Sequence, residues 1–260
     1  MFMFEIDFFA FDHNFCESLV YSTGQHPEYL NSISSLFISL IGLNGLFKPN
    51  INFYLQMLYS ALAVNGVTSC FYHWFNSIGW GLLDRMSMIL IALFSTVLFM
   101  IHLDKFIKLD KWNQSQSKFL INLSHLFVTC YFTILLTISG LHLENVFNIL
   151  FGLFLASLLV FMVIINKHKT NLHIPLQIIN FGWSGIKYIS LSGFFWIGTE
   201  NLCTRIWFVK YLFGHVLWHV FVSYGGYLLS LVPNYLTLKE NSDHVKVNYD
   251  WMGIPYLEKY

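Results

Sequence analysis

From Val146 to Ile165 the chain reads VFNILFGLFLASLLVFMVII, twenty consecutive residues without a charge. A helix rises about 1.5 Å per residue, so about 20 apolar residues cross the ~30 Å hydrocarbon layer of a bilayer. Backbone polar groups inside that layer must pair within their own segment, which selects helix over loop or open strand. The run 145–165 sets the scale for the rest of the chain. Comparable runs fall at 29–47, 52–75, 82–103, 118–138, 175–197 and 206–232. Seven runs predict an all-α polytopic membrane protein, a seven-transmembrane helix bundle in a single domain 1–260. An N-terminal segment 1–28 precedes the first span and a C-terminal tail 233–260 follows the last. The sixth run is the least continuous, because Gly182, Gly185, Lys187 and Gly193 interrupt it.

Composition points the same way. Of 260 residues, 56% are hydrophobic and 11% charged, against about 25% charged in soluble domains; the mean hydropathy is +0.57. Formal net charge is zero, so there is no basic footprint for nucleic acid. The first residues carry Glu5, Asp7, Asp12 and Glu17 and no basic n-region, which does not read as a secretory signal. Four cysteines without a CxxC pair exclude zinc-finger and thioredoxin readings. The bilayer and a membrane lipid are the expected partners; no obligate protein partner is evident.

Basic residues are retained on the cytoplasmic side of a membrane. With seven spans, one face carries Arg85, Arg205 and Lys210. The other carries Lys48, Lys105, Lys108, Lys111, Lys118, Lys167, Lys169, Lys239, Lys246 and Lys259. Three against ten predicts a lumenal or extracellular N-terminus and a cytoplasmic C-terminus.

Chemistry concentrates in three places. Gly214-His215-Val216-Leu217-Trp218-His219 lies in the last span, and residues four apart on a helix return to nearly the same face. His215 and His219 can therefore hold one metal ion from consecutive turns. Ser69 and His73 share a face near the end of the second span, and Leu83-Asp84-Arg85 opens the third. The second span ends and the seventh begins on one side of the membrane, so the topology allows His73, His215 and His219 to converge with Asp84 and Ser69 beside them. Three protein ligands leave a fourth zinc position for water, whose pKa zinc lowers to about 7. Asp84 is the candidate to move protons between that water and a leaving amine, and Ser69 to donate to the oxyanion. A single histidine in a span is more often a packing residue, as expected for His102, His125 and His142. An HxxxH pair there is less ordinary, because intramembrane ionisable groups are costly.

These segments, in order, resemble those of the alkaline ceramidases, a branch of the CREST superfamily of seven-transmembrane hydrolases. Gly66 to His73, GVTSCFYH, is similar to that family's GxxSxxFH, with Tyr72 where Phe is usual. Leu82 to Met88, LLDRMSM, is similar to LLDE-x-PM, with Arg85 replacing Glu and Ser87 replacing Pro. Gly214 to Tyr227, GHVLWHVFVSYGGY, resembles GHxxWHxxxxxGxY. The resemblance implies zinc at His73, His215 and His219, catalytic roles for Asp84 and Ser69, and hydrolysis of the ceramide amide to a sphingoid base and a free fatty acid. It also implies a site in an endoplasmic reticulum or Golgi membrane if the cell is eukaryotic. Two other readings share the metal triad: a hydrolase remodelling the lipid of glycosylphosphatidylinositol anchors, and a seven-span receptor of the progestin and adipoQ kind.

Two further features follow from the resemblance. Some members bind calcium through an N-terminal DWCExN segment and a later Glu. Here Glu17 and Glu28 keep their places, Asn14 replaces a carboxylate and Leu19 cannot ligate through its side chain, a poorer set for an ion that takes six to eight oxygens. The resemblance also suggests a disulfide between Cys16 and Cys203, both in expected non-cytoplasmic connections where disulfides are permitted.

Overall fold

The structure, a computed structural model, describes residues 7–12, 15–20, 27–109, 114–140, 144–241 and 244–259. Seven helices follow one another: α1 Tyr29–Leu46, α2 Phe53–Phe75, α3 Ile78–Leu109, α4 Gln114–Gly140, α5 Glu144–His168, α6 Leu176–Leu202 and α7 Gly214–Asn241. Local chemistry sets several ends. Asn52 caps α2 by accepting the Leu55 amide at 2.9 Å. Asn76 closes the same helix in the left-handed region at φ 47°, a conformation asparagine tolerates better than most residues. A left-handed Phe213 separates a 3₁₀ turn, Val209–Leu212, from the start of α7.

Among the described residues, five segments are long and apolar enough to cross a membrane: Tyr29–Leu46, Ile78–His102, Ile121–Ser139, Val146–His168 and Val209–Glu240. The chain is an all-α polytopic bundle. Helices α2 and α6 are less apolar, because α2 turns Asn65, Thr68, Ser69 and His73 into the protein and α6 carries two buried glycines, Gly182 and Gly185. Ile33, Leu40, Phe127, Ile149, Val160 and Phe194 stand on the outside, each more than half exposed. In water that surface would be an aggregation hazard; in lipid it is the solvated face.

Helix α7 is central, touching α1, α2, α3 and α6. Close approach here depends on glycine, as small residues let backbones meet in membrane bundles. A Cβ on Gly66 would lie 2.4 Å from the Ser39 amide nitrogen on α1. One on Gly185 would lie 2.6 Å from the Gly225 carbonyl on α7. The α1–α2 and α6–α7 pairs are thereby drawn together around the ends that carry the histidines.

The C-terminus departs from expectation. A tail was expected from Pro233, yet α7 continues through that proline to Asn241. An interior proline costs a helix ~3 kcal/mol, but Val232, Tyr235, Leu236 and Leu238 are buried around it; tertiary packing outweighs the lost bond. The chain then forms an antiparallel hairpin of β1 Val245–Tyr249 and β2 Pro255–Lys259. Tyr227 donates its hydroxyl to the Pro255 carbonyl at 2.8 Å. Asp250, at the hairpin turn, accepts from Asn44 at 2.8 Å and pairs with Lys48 at 2.5 Å.

Candidate metal centre

His73 sits in the last turn of α2, and His215 and His219 in the first two turns of α7. The ring centroids are 4.7 Å apart for His73–His215, 5.3 Å for His73–His219 and 4.8 Å for His215–His219. One ligand atom from each lies within 4.8 Å of the others, and all three residues are buried. Helical spacing brings the α7 pair to one face, and the α2–α7 approach supplies the third ring.

Each Nδ1 already faces a partner. His73 Nδ1 lies 2.8 Å from Glu28 Oε2, His215 Nδ1 lies 3.4 Å from Glu200 Oε1, and His219 Nδ1 lies 2.8 Å from Ser34 Oγ. Carboxylates and hydroxyls in these places hold the Nδ1–H tautomer and direct the Nε2 lone pair toward a metal. Three buried imidazoles with oriented rings can hold a divalent transition metal.

Asp84, in the second turn of α3, is half-buried beside the triad. Asn65 donates to its Oδ1 at 2.8 Å, and Ser69 is a further hydrogen-bond partner. Ser69 in turn accepts from Ser35 at 3.0 Å. These groups stand at the head of a cavity of about 1320 Å³, open mouth included, whose walls carry Leu58, Leu98, Phe99, Phe151, Leu158 and Ile189. Its lining reaches from His215 to Pro233 along α7, about 27 Å of helix. A polar, histidine-rich head on a long apolar shaft suits a lipid whose polar group reacts while its chains stay in hydrocarbon.

Family comparison agrees with that geometry. A profile of the Ceramidase family matches residues 11–258. The chain belongs to the ceramidase family. No curated protein gives a match. As a ceramidase-family chain it is a membrane hydrolase of the class that acts on the ceramide amide bond, and its buried histidine cluster can hold a metal ion.

The two carboxylates of the expected calcium set are engaged within the protein. Glu17 accepts from the Leu30 and Asn31 amides, both at 2.7 Å, one on each oxygen. Glu28 Oε1 accepts from the Phe15 amide and the Ser18 hydroxyl, both at 2.7 Å. Its Oε2 accepts from Asn31 at 3.1 Å and faces His73. Burial pushes the Glu28 carboxyl up, but the hydrogen bond and charge of His73, with Ser18 and Asn31, outweigh it and hold the group at about 2. Both carboxylates are thus engaged by donors around the start of α1. Leu19 is exposed, and Asn14 lies outside the described residues. Asp12 accepts instead from the Tyr72 hydroxyl at 2.7 Å, with Arg85 Nη1 at 3.9 Å.

Cys16 and Cys203 are buried neighbours, present as free thiols. Burial, each other and the nearby Glu200 push the Cys16 thiol up. The residues that sequence reasoning missed are the partners of the histidines: Ser34, Ser35 and Glu200, together with Asn65 on Asp84. None stands at a diagnostic spacing from the residue it touches, so only the three-dimensional approach reveals them.

Proposed function

We propose that the chain hydrolyses the amide bond of ceramide, an N-acylsphingosine-type lipid, to a sphingoid base and a free fatty acid. The site is held by His73, His215 and His219, which bind zinc. The observation that carries this reading is the meeting of three buried, Nδ1-anchored imidazoles with a carboxylate at the head of a lipid-sized apolar cavity. When bound, zinc polarises the amide carbonyl and activates water near neutral pH.

The chain's own residues do the rest. Asp84 takes the proton of the attacking water and delivers it to the departing amine nitrogen, so that amine and carboxylic acid leave with water's atoms shared between them. Asn65 fixes one Asp84 oxygen, and Asp84 lines the cavity. Ser69, whose oxygen is already engaged by Ser35, spends its hydroxyl proton on Asp84 at rest and on the amide oxyanion as charge develops. Phe15 packs its ring on His73 and His215 at 4.8 and 4.6 Å between centroids and shields the site from above. The fatty acyl and sphingoid chains lie in the apolar shaft.

By the distribution of basic residues the site opens toward the non-cytoplasmic leaflet, in an endoplasmic reticulum or Golgi membrane if the cell is eukaryotic. Purified protein given a panel of ceramides and glycerolipids tests the reading. Free sphingoid base from ceramides is expected. Release of fatty acid from ester lipids alone would overturn it.

A further inference from the structure

Two consecutive backbone amides in the N-terminal segment reach two carboxylates, and each carboxylate reaches a different imidazole of the triad. The Phe15 amide donates to Glu28 Oε1 at 2.7 Å while Glu28 Oε2 lies 2.8 Å from His73 Nδ1. The Cys16 amide donates to Glu200 Oε2 at 2.8 Å while Glu200 Oε1 lies 3.4 Å from His215 Nδ1. Phe15 is extended, at φ −81° and ψ 175°, and in extended backbone successive amides point to opposite sides. That is why one dipeptide can address both acids, with the Phe15 ring resting on the two imidazoles between them.

We infer that Glu200 is a positioning residue: it fastens the Cys16 backbone and the imidazole of His215 to one carboxylate, so that metal binding and the docking of Cys16 support each other. The inference rests on the reading that the three histidines hold a metal. Glu200 comes from the last turn of α6 and His215 from the first turn of α7, so the carboxylate also bridges the connection between those helices. With metal on Nε2, His215 must carry its proton on Nδ1, and a carboxylate is the strongest neutral-pH acceptor for it. The same carboxylate holds the Cys16 amide at 2.8 Å. Linkage then works in both directions: the docked Cys16 amide holds Glu200 in place for His215, and a metal-oriented His215 holds Glu200 in place for Cys16.

The test uses the full-length chain and its Glu200→Ala and Glu200→Gln variants, with zinc affinity read by chelator competition. Hydrogen exchange of the peptide containing Cys16 is followed with and without metal, and the visible spectrum is recorded after cobalt substitution. Glu200→Ala should weaken zinc binding about 10–100-fold, shift the cobalt spectrum and speed exchange at Cys16 in the metal-free protein. Glu200→Gln, nearly the same size, should keep the fold and lose less affinity, which retains a readout if the alanine variant does not fold. A wild-type chain that binds metal, with Glu200 variants of equal affinity and unchanged spectrum, would overturn this inference alone. A wild-type chain that takes up no metal would overturn the metal reading and this inference with it.

Discussion

Ser35 Oγ lies 3.0 Å from Ser69 Oγ, and together with Ser34 Oγ, 2.8 Å from His219 Nδ1, it brings α1, which carries no metal ligand, to the reacting centre. Ser35 is fully buried and also approaches His219 Nδ1 at 3.4 Å. Ser69 is also a hydrogen-bond partner of Asp84, so its hydroxyl stands beside the reacting carboxylate where an oxyanion donor is needed. Ser69→Ala should therefore lower kcat about 10²–10³-fold, the cost of losing one oxyanion donor, while bound metal stays constant. Steady-state kinetics beside metal analysis separates this from a loss of the site. Ser35→Ala should act in the same direction and more weakly.

Asp84 is held by Asn65 at 2.8 Å rather than by a metal ligand. Asp84→Asn removes the proton carrier and preserves the shape, so kcat should fall about 10²–10⁴-fold with zinc content unchanged. Asn65→Ala frees the carboxylate without removing it and should cost less. Equal metal in all three proteins is part of the expectation. An Asp84→Asn protein lacking metal would make Asp84 a structural group.

Glycine at the helix crossings has a measurable consequence. Gly66 and Gly185 admit no Cβ without displacing backbone, whereas a Cβ on Gly193 would meet nothing within 4 Å. Gly66→Ala and Gly185→Ala should each destabilise the bundle by about 1–3 kcal/mol. Gly193→Ala should be neutral or slightly stabilising, by up to about 1 kcal/mol of helix propensity. Unfolding in a single detergent system compares the three directly.

The C-terminal hairpin is pinned through Asp250. Burial pushes its carboxyl up, but Lys48, Asn44 and the Ile254 amide outweigh that and hold it at about 2. An unfolded aspartate titrates near 4. The folded value is the lower one, so the contribution is whole above about pH 4 and is lost as pH falls toward 2. Asp250→Asn should loosen the hairpin at neutral pH by about 1–2 kcal/mol and abolish that acid dependence. Hydrogen exchange along β1 and β2 reports both effects.

Cys16 and Cys203 face each other as thiols. In protein isolated without reductant from its membrane we expect them joined, and both resistant to alkylation until reduced. Removing a disulfide of this kind costs about 2–4 kcal/mol, so Cys16→Ser should lower stability by that order. Ready alkylation of both in intact, sealed vesicles from the cytoplasmic side would contradict the orientation as well as the bond.

Much of this arrangement is legible in sequence because it rests on two periodicities. Spacing of four residues puts His215 and His219 on one face, and counting spans puts His73, Ser69 and Asp84 at the same membrane side. What escapes is whatever lies outside hydrocarbon or depends on approach between helices. Hydropathy places the third span at 82–103, yet α3 runs from Ile78 to Leu109, because a helix need not stop where lipid does. Pro233 reads as an end and is not one, since the buried residues around it hold the helix. Glu17 accepts from backbone amides and Glu28 from the Phe15 amide, the Ser18 hydroxyl and the Asn31 side chain, a choice that no spacing reveals. Glu200 goes unnoticed for the same reason: its partners, Cys16 and His215, are 184 and 15 residues away.

Metal content per chain, measured on purified wild type and on His219→Ala, tests the central claim most directly. One zinc per wild-type chain, and loss of both the metal and sphingoid-base release in a folded His219→Ala protein, is the expected result. Ceramide turnover by a wild-type chain rigorously freed of metal would contradict it.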